Sequence, residues 1–237
     1  MYLDVLDLKH FYQEPLGAMA RHLLTARIRE LWSNTRGQTV LGTGYAAPFL
    51  RPFLGEAYRV ILGMPEKQGV IRWPEGEPSR TFLINDKHLP LADASVDKAL
   101  AVHSLEMSCA PNIMLRELWR VLVPEGRLLI VVPNRRGLWA RFDTTPYGHG
   151  HPYSQGQLEH LLSECLYTPT NWAPSLFMPP LGWRAALKTA TAWERVGARA
   201  WPVFSGVLMV EAQKQLYAPV GRAAKVRAAR MVEAGKP

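Results

Sequence analysis

Five short runs rich in Val, Leu and Ile, separated by helical or turn segments, punctuate the first 135 residues. They lie at 38–42 (QTVLG), 58–64 (YRVILGM), 80–85 (RTFLIN), 96–103 (VDKALAVH) and 127–133 (RLLIVVP). Apolar residues occupy both parities of these runs, as in strands buried on both faces. Between the last two, residues 111–122 place Leu115, Leu118, Trp119 and Leu122 on one helical stripe, and Pro124 and Gly126 are positioned to end that helix in a tight turn. Strand alternating with helix predicts a mostly parallel α/β sheet with helices on both faces.

The remaining segments fill in around that sheet. Leu16, Met19, Ala20, Leu23, Leu24, Ile28 and Leu31 repeat at helical spacing over 15–32, with Pro15 near the start, where its missing N–H costs little. Ser154 is placed to cap a helix over 154–165 that turns Leu158, Leu161 and Leu162 inward, a further helix is expected over 182–197, and VFSGVLMVEA at 203–212 reads as a late strand. The stretch 65–79 offers no convincing helix, and 166–181 is Pro-rich. A chain of 237 residues, 48% hydrophobic and 20% charged, suits one domain with a large core. The expected division is a helical cap over 1–36, an α/β core over 37–220 with a helical insertion near 176–200, and a tail over 221–237.

No apolar stretch near the start resembles a secretion signal and none approaches ~18–20 residues, so a cytoplasmic protein without a membrane partner is expected. Cys109 and Cys165 match no metal-ligand or redox spacing. The net charge is +8, and half of it lies in the tail, where Arg222, Lys225, Arg227, Arg230 and Lys236 face the single acid Glu233. A solvated helix explains that tail; a nucleic-acid patch is the sharper reading, weakened because no aromatic residue is interleaved.

The chemistry concentrates after the first strand. Residues 42–47 read Gly-Thr-Gly-Tyr-Ala-Ala, where glycines let the backbone turn sharply and approach a ligand closely. Alone, this pattern also fits a dinucleotide fingerprint or an ordinary turn. The downstream blocks LPLADASVD at 89–97, LRELWRVLVPEGRLLIVVPN at 115–134 and HPYSQGQLEHLLSECLY at 151–167 discriminate. In residue type and spacing they resemble the class I S-adenosylmethionine-dependent methyltransferases, particularly the broad group that includes ubiquinone- and menaquinone-biosynthesis-type enzymes.

The resemblance covers about 38–165 and implies a Rossmann-like, seven-stranded class I methyltransferase fold. It implies S-adenosylmethionine bound across the carboxyl ends of strands one to four and methyl transfer to a small-molecule acceptor. Gly42 and Gly44 would floor the methionine part, Tyr45 would follow them in the loop, Asn85 and Asp86 would face the adenine, and Tyr12 would close over the cofactor. His103, ending the fourth strand, would line the reacting centre as the candidate base, with Glu106 the second candidate. Arg135, Arg136 and Arg141, with His149 and His151, would form a substrate-facing loop; no metal site is expected from the histidine pair.

Two positions depart from the family pattern. Val40 stands where an acid usually precedes the first motif glycine, and Met64 stands where an Asp or Glu usually accepts the ribose hydroxyls, with Glu66 two residues later. The missing acid leaves a second reading, a catalytically silent member acting as a regulatory or partner-binding subunit. A nicotinamide-dependent oxidoreductase and an RNA-associated protein are further alternatives.

Overall fold

The computed structural model describes residues 2–85, 87–182 and 189–216. The helices are α1 (Val5–Gln13), α2 (Pro15–Leu31), α3 (Ala47–Leu50), α4 (Pro111–Val121), α5 (Gln155–Glu164) and α6 (Ala190–Ala200). The strands are β1 (Thr39–Gly44), β2 (Arg59–Pro65), β3 (Thr81–Ile84), β4 (Val96–Val102), β5 (Leu122–Pro133), β6 (Tyr167–Trp172) and β7 (Val207–Lys214). They form one seven-stranded sheet in the order β3-β2-β1-β4-β5-β7-β6. The first five strands pair in parallel, and β7 is antiparallel to both β5 and β6.

Strand alternation divides the interior into two layers. Val40, Val60, Leu62, Met64, Leu129 and Val131 pack with α1, α2 and α3, while Leu41, Leu128, Ile130 and Val132 pack with α4 and α5. Successive residues of a strand point to opposite faces, so the doubly apolar runs are what a two-sided sheet requires.

Several boundaries differ from the sequence expectation. The expected cap helix over 15–32 is preceded by a second helix, α1, which Asp4 starts by accepting a hydrogen bond from Leu6 N at 2.7 Å. Helix α4 stops at Val121, and Leu122 pairs with Val96, so Pro124 and Gly126 lie within β5 rather than in a separate turn. The late strand begins at Val207, because Pro202–Phe204 form a short 3-10 turn. The expected helix over 182–197 is described from Ala190 and continues to Ala200; its residues 183–188, like the basic tail over 221–237, lie outside the described residues. As expected, 65–79 holds no helix, and Ser154 caps α5 in a reciprocal capping box with Gln157. Among the described residues no helix is long and apolar enough to cross a membrane.

The two motif blocks meet around Arg120. Its guanidinium donates to the carbonyls of Leu89 and Leu91, both at 2.9 Å, and pairs with Asp93 at 2.5 Å and Glu117 at 2.9 Å. Glu117 also accepts from Leu89 N at 2.9 Å. This cluster clamps the loop before β4 onto α4, so the spacing of these residues records a structural need. Arg120→Ala should cost about 2–3 kcal/mol, as charge-assisted bonds are lost and two carbonyls released, read as a lower denaturation midpoint. The Glu117 carboxyl is held below its ordinary range chiefly by its hydrogen bond from Arg120. Its contribution is therefore present above the usual carboxylate range and fades as pH falls through its lowered value.

Candidate active site

The strand order reverses between β1 and β4, and the crevice outside the carboxyl ends of strands at such a point is where open α/β sheets bind ligands. β1 ends at Gly44 with φ +71°, which lets Tyr45 N donate to Val102 O at 2.8 Å. β4 is followed by His103, itself at φ +49°. Non-glycine residues adopt this conformation infrequently, and when the surroundings hold one there, a functional centre is a common setting.

His103 is the middle of a buried polar chain. Its Nδ1 faces Glu106 Oε1 at 3.3 Å, and its Nε2 lies 2.7 Å from the Tyr12 hydroxyl, which lies 2.7 Å from the hydroxyl of Tyr147. None of the four is more than 3% exposed. Glu106 is anchored because its Oε2 accepts from Ser104 N at 3.2 Å. Burial raises both phenols well above the ordinary tyrosine range, so they remain protonated. The Tyr12 ring stacks on Tyr45 at 5.7 Å and meets Phe49 edge-on at 5.5 Å. The side-chain amide of Gln68, equally buried, donates to His103 O at 3.2 Å, and the Gln68 backbone carbonyl accepts from Val5 N. Three buried side-chain atoms here, Gln68 Oε1, His103 Nδ1 and Glu106 Oε1, have no well-aligned hydrogen-bond partner. Orphaned polar atoms are costly, so such a cluster marks a place built for polar contacts beyond those the chain makes with itself.

Glu106, second to His103 in the sequence reading, thus sits against its ring. Gln68 and Tyr147 were not singled out, and nothing in their local sequence marks them. Helix α1, which brings Tyr12, does carry a signal: Val5, Leu8, Phe11 and Tyr12 follow helical spacing behind the capping Asp4.

The other expected residues are dispersed. Met64 is fully buried within the core that contains Leu8, Tyr12 and Leu62, and is not presented at the strand end. β2 continues to Pro65, one residue beyond Met64, and the next residue, Glu66, is exposed. Glu66 and Asn85 line a cavity of about 200 Å³ with Pro65, Ile84, Lys87 and Ala110. Asp86 lies outside the described residues. At Gly42 a Cβ would meet Leu50 Cδ1 at 2.5 Å, and at Gly44 it would meet Val102 O at 2.3 Å, so both glycines first serve close packing of the chain on itself. Arg135, Arg136 and Arg141 are exposed, and Arg136 lines a separate cavity beside Ser154 and Trp172. His149 Nε2 lies 2.8 Å from Asp143 O, and His151 is exposed, its backbone N–H donating to Glu106 O. The two histidines have different neighbours, and no cluster of three or more candidate metal ligands occurs among the described residues.

Comparison with known proteins agrees with this architecture. Residues 41–130 match the family model described as Methyltransferase domain. No curated protein sequence matches the chain. Among solved structures, a Thermotoga maritima S-adenosylmethionine-dependent methyltransferase, described as a possible histamine N-methyltransferase, superposes with a TM-score of 0.62 at 16% identity, over 89% of this chain and 96% of that one. A chain of the Haloferax volcanii complex between a methyltransferase and its activator Trm112 superposes at 0.59 and 15% identity, over 86% and 94%. The Burkholderia thailandensis 1,6-didemethyltoxoflavin N1-methyltransferase, solved with S-adenosylhomocysteine, superposes at 0.52 and 18% identity, over 81% and 76%. Residues 41–130 thus match a methyltransferase-domain model, and the chain is built on the fold of the class I S-adenosylmethionine-dependent methyltransferases.

Proposed function

We propose that the chain binds S-adenosylmethionine across the carboxyl ends of β1 to β4 and transfers its methyl group to a small-molecule acceptor, with His103 as general base. The observation that carries this reading is the buried Glu106–His103–Tyr12–Tyr147 chain at the end of β4. The cavity beside Glu66 and Asn85 suits the adenosine half of the cofactor: its walls include apolar Ile84 and Ala110, and Glu66 offers a carboxylate for two hydroxyls. Near the switch point, the orphaned Gln68 Oε1 is a polar atom for the remaining half. Tyr12 and Tyr45 occupy part of this space, so ligand entry requires α1 to yield.

The cofactor, when bound, supplies a sulfonium-activated methyl group and its own leaving group. The chain's residues then have to align and desolvate a nucleophile and take its proton. Glu106 facing Nδ1 favours the tautomer with the proton on that nitrogen, leaving Nε2 as the acceptor, and the carboxylate stabilises the imidazolium formed when Nε2 is protonated. Tyr12 and Tyr147 exclude water, and the Tyr12 hydroxyl, which keeps its proton, holds Nε2 by a hydrogen bond until the nucleophile takes its place.

A second reading, a catalytically silent fold acting as a partner-binding subunit, is favoured by the closed centre: Tyr12 sits on His103 and both are nearly inaccessible. Titration calorimetry with S-adenosylmethionine separates the two. Binding by the parent, weakened about 10–150-fold in Glu66→Ala through loss of a charged acceptor, supports the cofactor site. His103→Gln should leave that affinity within a few-fold while lowering transfer about 10²–10⁴-fold. No binding by the parent selects the silent reading.

A further inference from the structure

A third cavity, of about 370 Å³, lies beside Tyr12, between α1, α2, α3 and the segment 71–75. Its charge is one-sided. Lys9, Arg21, Arg51 and Arg72 line it with a single acid, Glu75, and Lys9 Nζ pairs with that acid at 3.3 Å. Arg21, Arg51 and Arg72 make no ion pair among the described residues. Three unpaired guanidiniums around one concavity repel one another and focus a positive potential into it.

The remaining walls are aromatic and offer further donors. Trp73 and Tyr45 are largely buried yet line the cavity, bringing an indole N–H and a phenol to its wall. Burial pushes the Tyr45 phenol up to about 12, so its hydroxyl stays protonated and able to donate.

We infer that this cavity is a binding site for a small phosphorylated molecule, with Arg21, Arg51 and Arg72 as its clamp. Guanidinium forks match phosphate oxygens two at a time, and three arginines lining one cavity outnumber what one carboxylate would need. The volume lies within the range of small-ligand pockets and leaves room beyond the phosphate for an organic group against Trp73 and Tyr45. This site does not depend on methyl transfer. Tyr12 borders both places, lining this cavity with its ring while its hydroxyl contacts His103.

The test titrates the full chain with inorganic pyrophosphate, and in parallel with citrate as a carboxylate of similar charge, following heat and tryptophan fluorescence at two salt concentrations. Pyrophosphate should bind in a salt-sensitive way, and more tightly than citrate. The double variant Arg51→Gln/Arg72→Gln should weaken it more than about ten-fold, and Arg21→Gln alone by about ten-fold, as charge-assisted bonds are removed. These side chains are exposed and bridge no other element, so the variants should melt with the parent. The control Arg36→Gln/Arg59→Gln, which removes the same charge from exposed positions elsewhere on the surface, should change affinity less than two-fold. Absence of pyrophosphate binding by the parent, equal weakening in the control, or tighter binding of citrate would each overturn the assignment.

Discussion

Gly44→Val yields no folded protein: soluble expression collapses, and any recovered chain lacks the cooperative thermal transition of the parent. Gly44 has φ +71°, where a β-branched side chain is strongly disfavoured. A Cβ there would stand 2.3 Å from Val102 O, 2.7 Å from His103 O and 2.7 Å from Ser104 Cβ. Two of these contacts are backbone belonging to the end of β4, paired to β1 along its length, so nothing cheap can move. The combined cost is about 4–5 kcal/mol or more, set against a total stability of roughly 5–15 kcal/mol for a domain. Gly44→Ala carries the same Cβ and should also fail. Gly42→Ala should be milder, about 1–3 kcal/mol, because its nearest neighbour is the end of the Leu50 side chain. A Gly44→Ala variant melting with the parent would show that β1 and β4 do not approach as described. The sequence resemblance placed Gly44 only at the floor of a cofactor site; the close approach of the two strands makes a bulky residue here a folding defect first.

Met64→Asp is the second large effect, and its sign reverses what the sequence suggested. Read as the last residue of β2, Met64 is the place where a carboxylate would restore a ribose contact and tighten S-adenosylmethionine binding. In the fold, β2 runs on to Pro65, and Val60, Leu62 and Met64 share the face packed against α1 and α2. An aspartate at this fully buried position leaves a charge among apolar neighbours, costing about 3–5 kcal/mol, or stays protonated through a raised pKa. Because the folded carboxyl would titrate above its unfolded value, the loss relative to the parent should be smallest at acid pH and grow as pH rises through the ordinary carboxylate range. Met64→Leu, close in volume, should cost less than about 1.5 kcal/mol. Denaturant melts of the three proteins at pH 4 and pH 8 test this. A Met64→Asp variant as stable as the parent at pH 8 would show that Met64 is not in the core.

The difference between these outcomes and the sequence expectation has a common origin. Alternation along β2 is local, so the parity of Val60, Leu62 and Met64 was legible; which residue is last depends on where β3 stops pairing, at Pro65 opposite Ile84. Likewise the β1 turn was legible as a glycine-rich bend, but whether its glycines face a ligand or another strand depends on β4, some sixty residues away.

By itself, the sequence determined the elements whose signals lie within a few residues: the doubly apolar strands, the Ser154–Gln157 cap, and the block around Leu89, Glu117 and Arg120, whose spacing records hydrogen bonds between a loop and the next helix. It also marked His103 at the end of β4. Only the tertiary structure decided what surrounds that histidine. Tyr12 arrives from 91 residues away on α1, Tyr147 from a loop beyond β5, and Gln68 from the crossover after β2. The docking of three separate segments onto one end of the sheet leaves no local periodicity, because each contact is set by how whole elements pack rather than by the residues beside it.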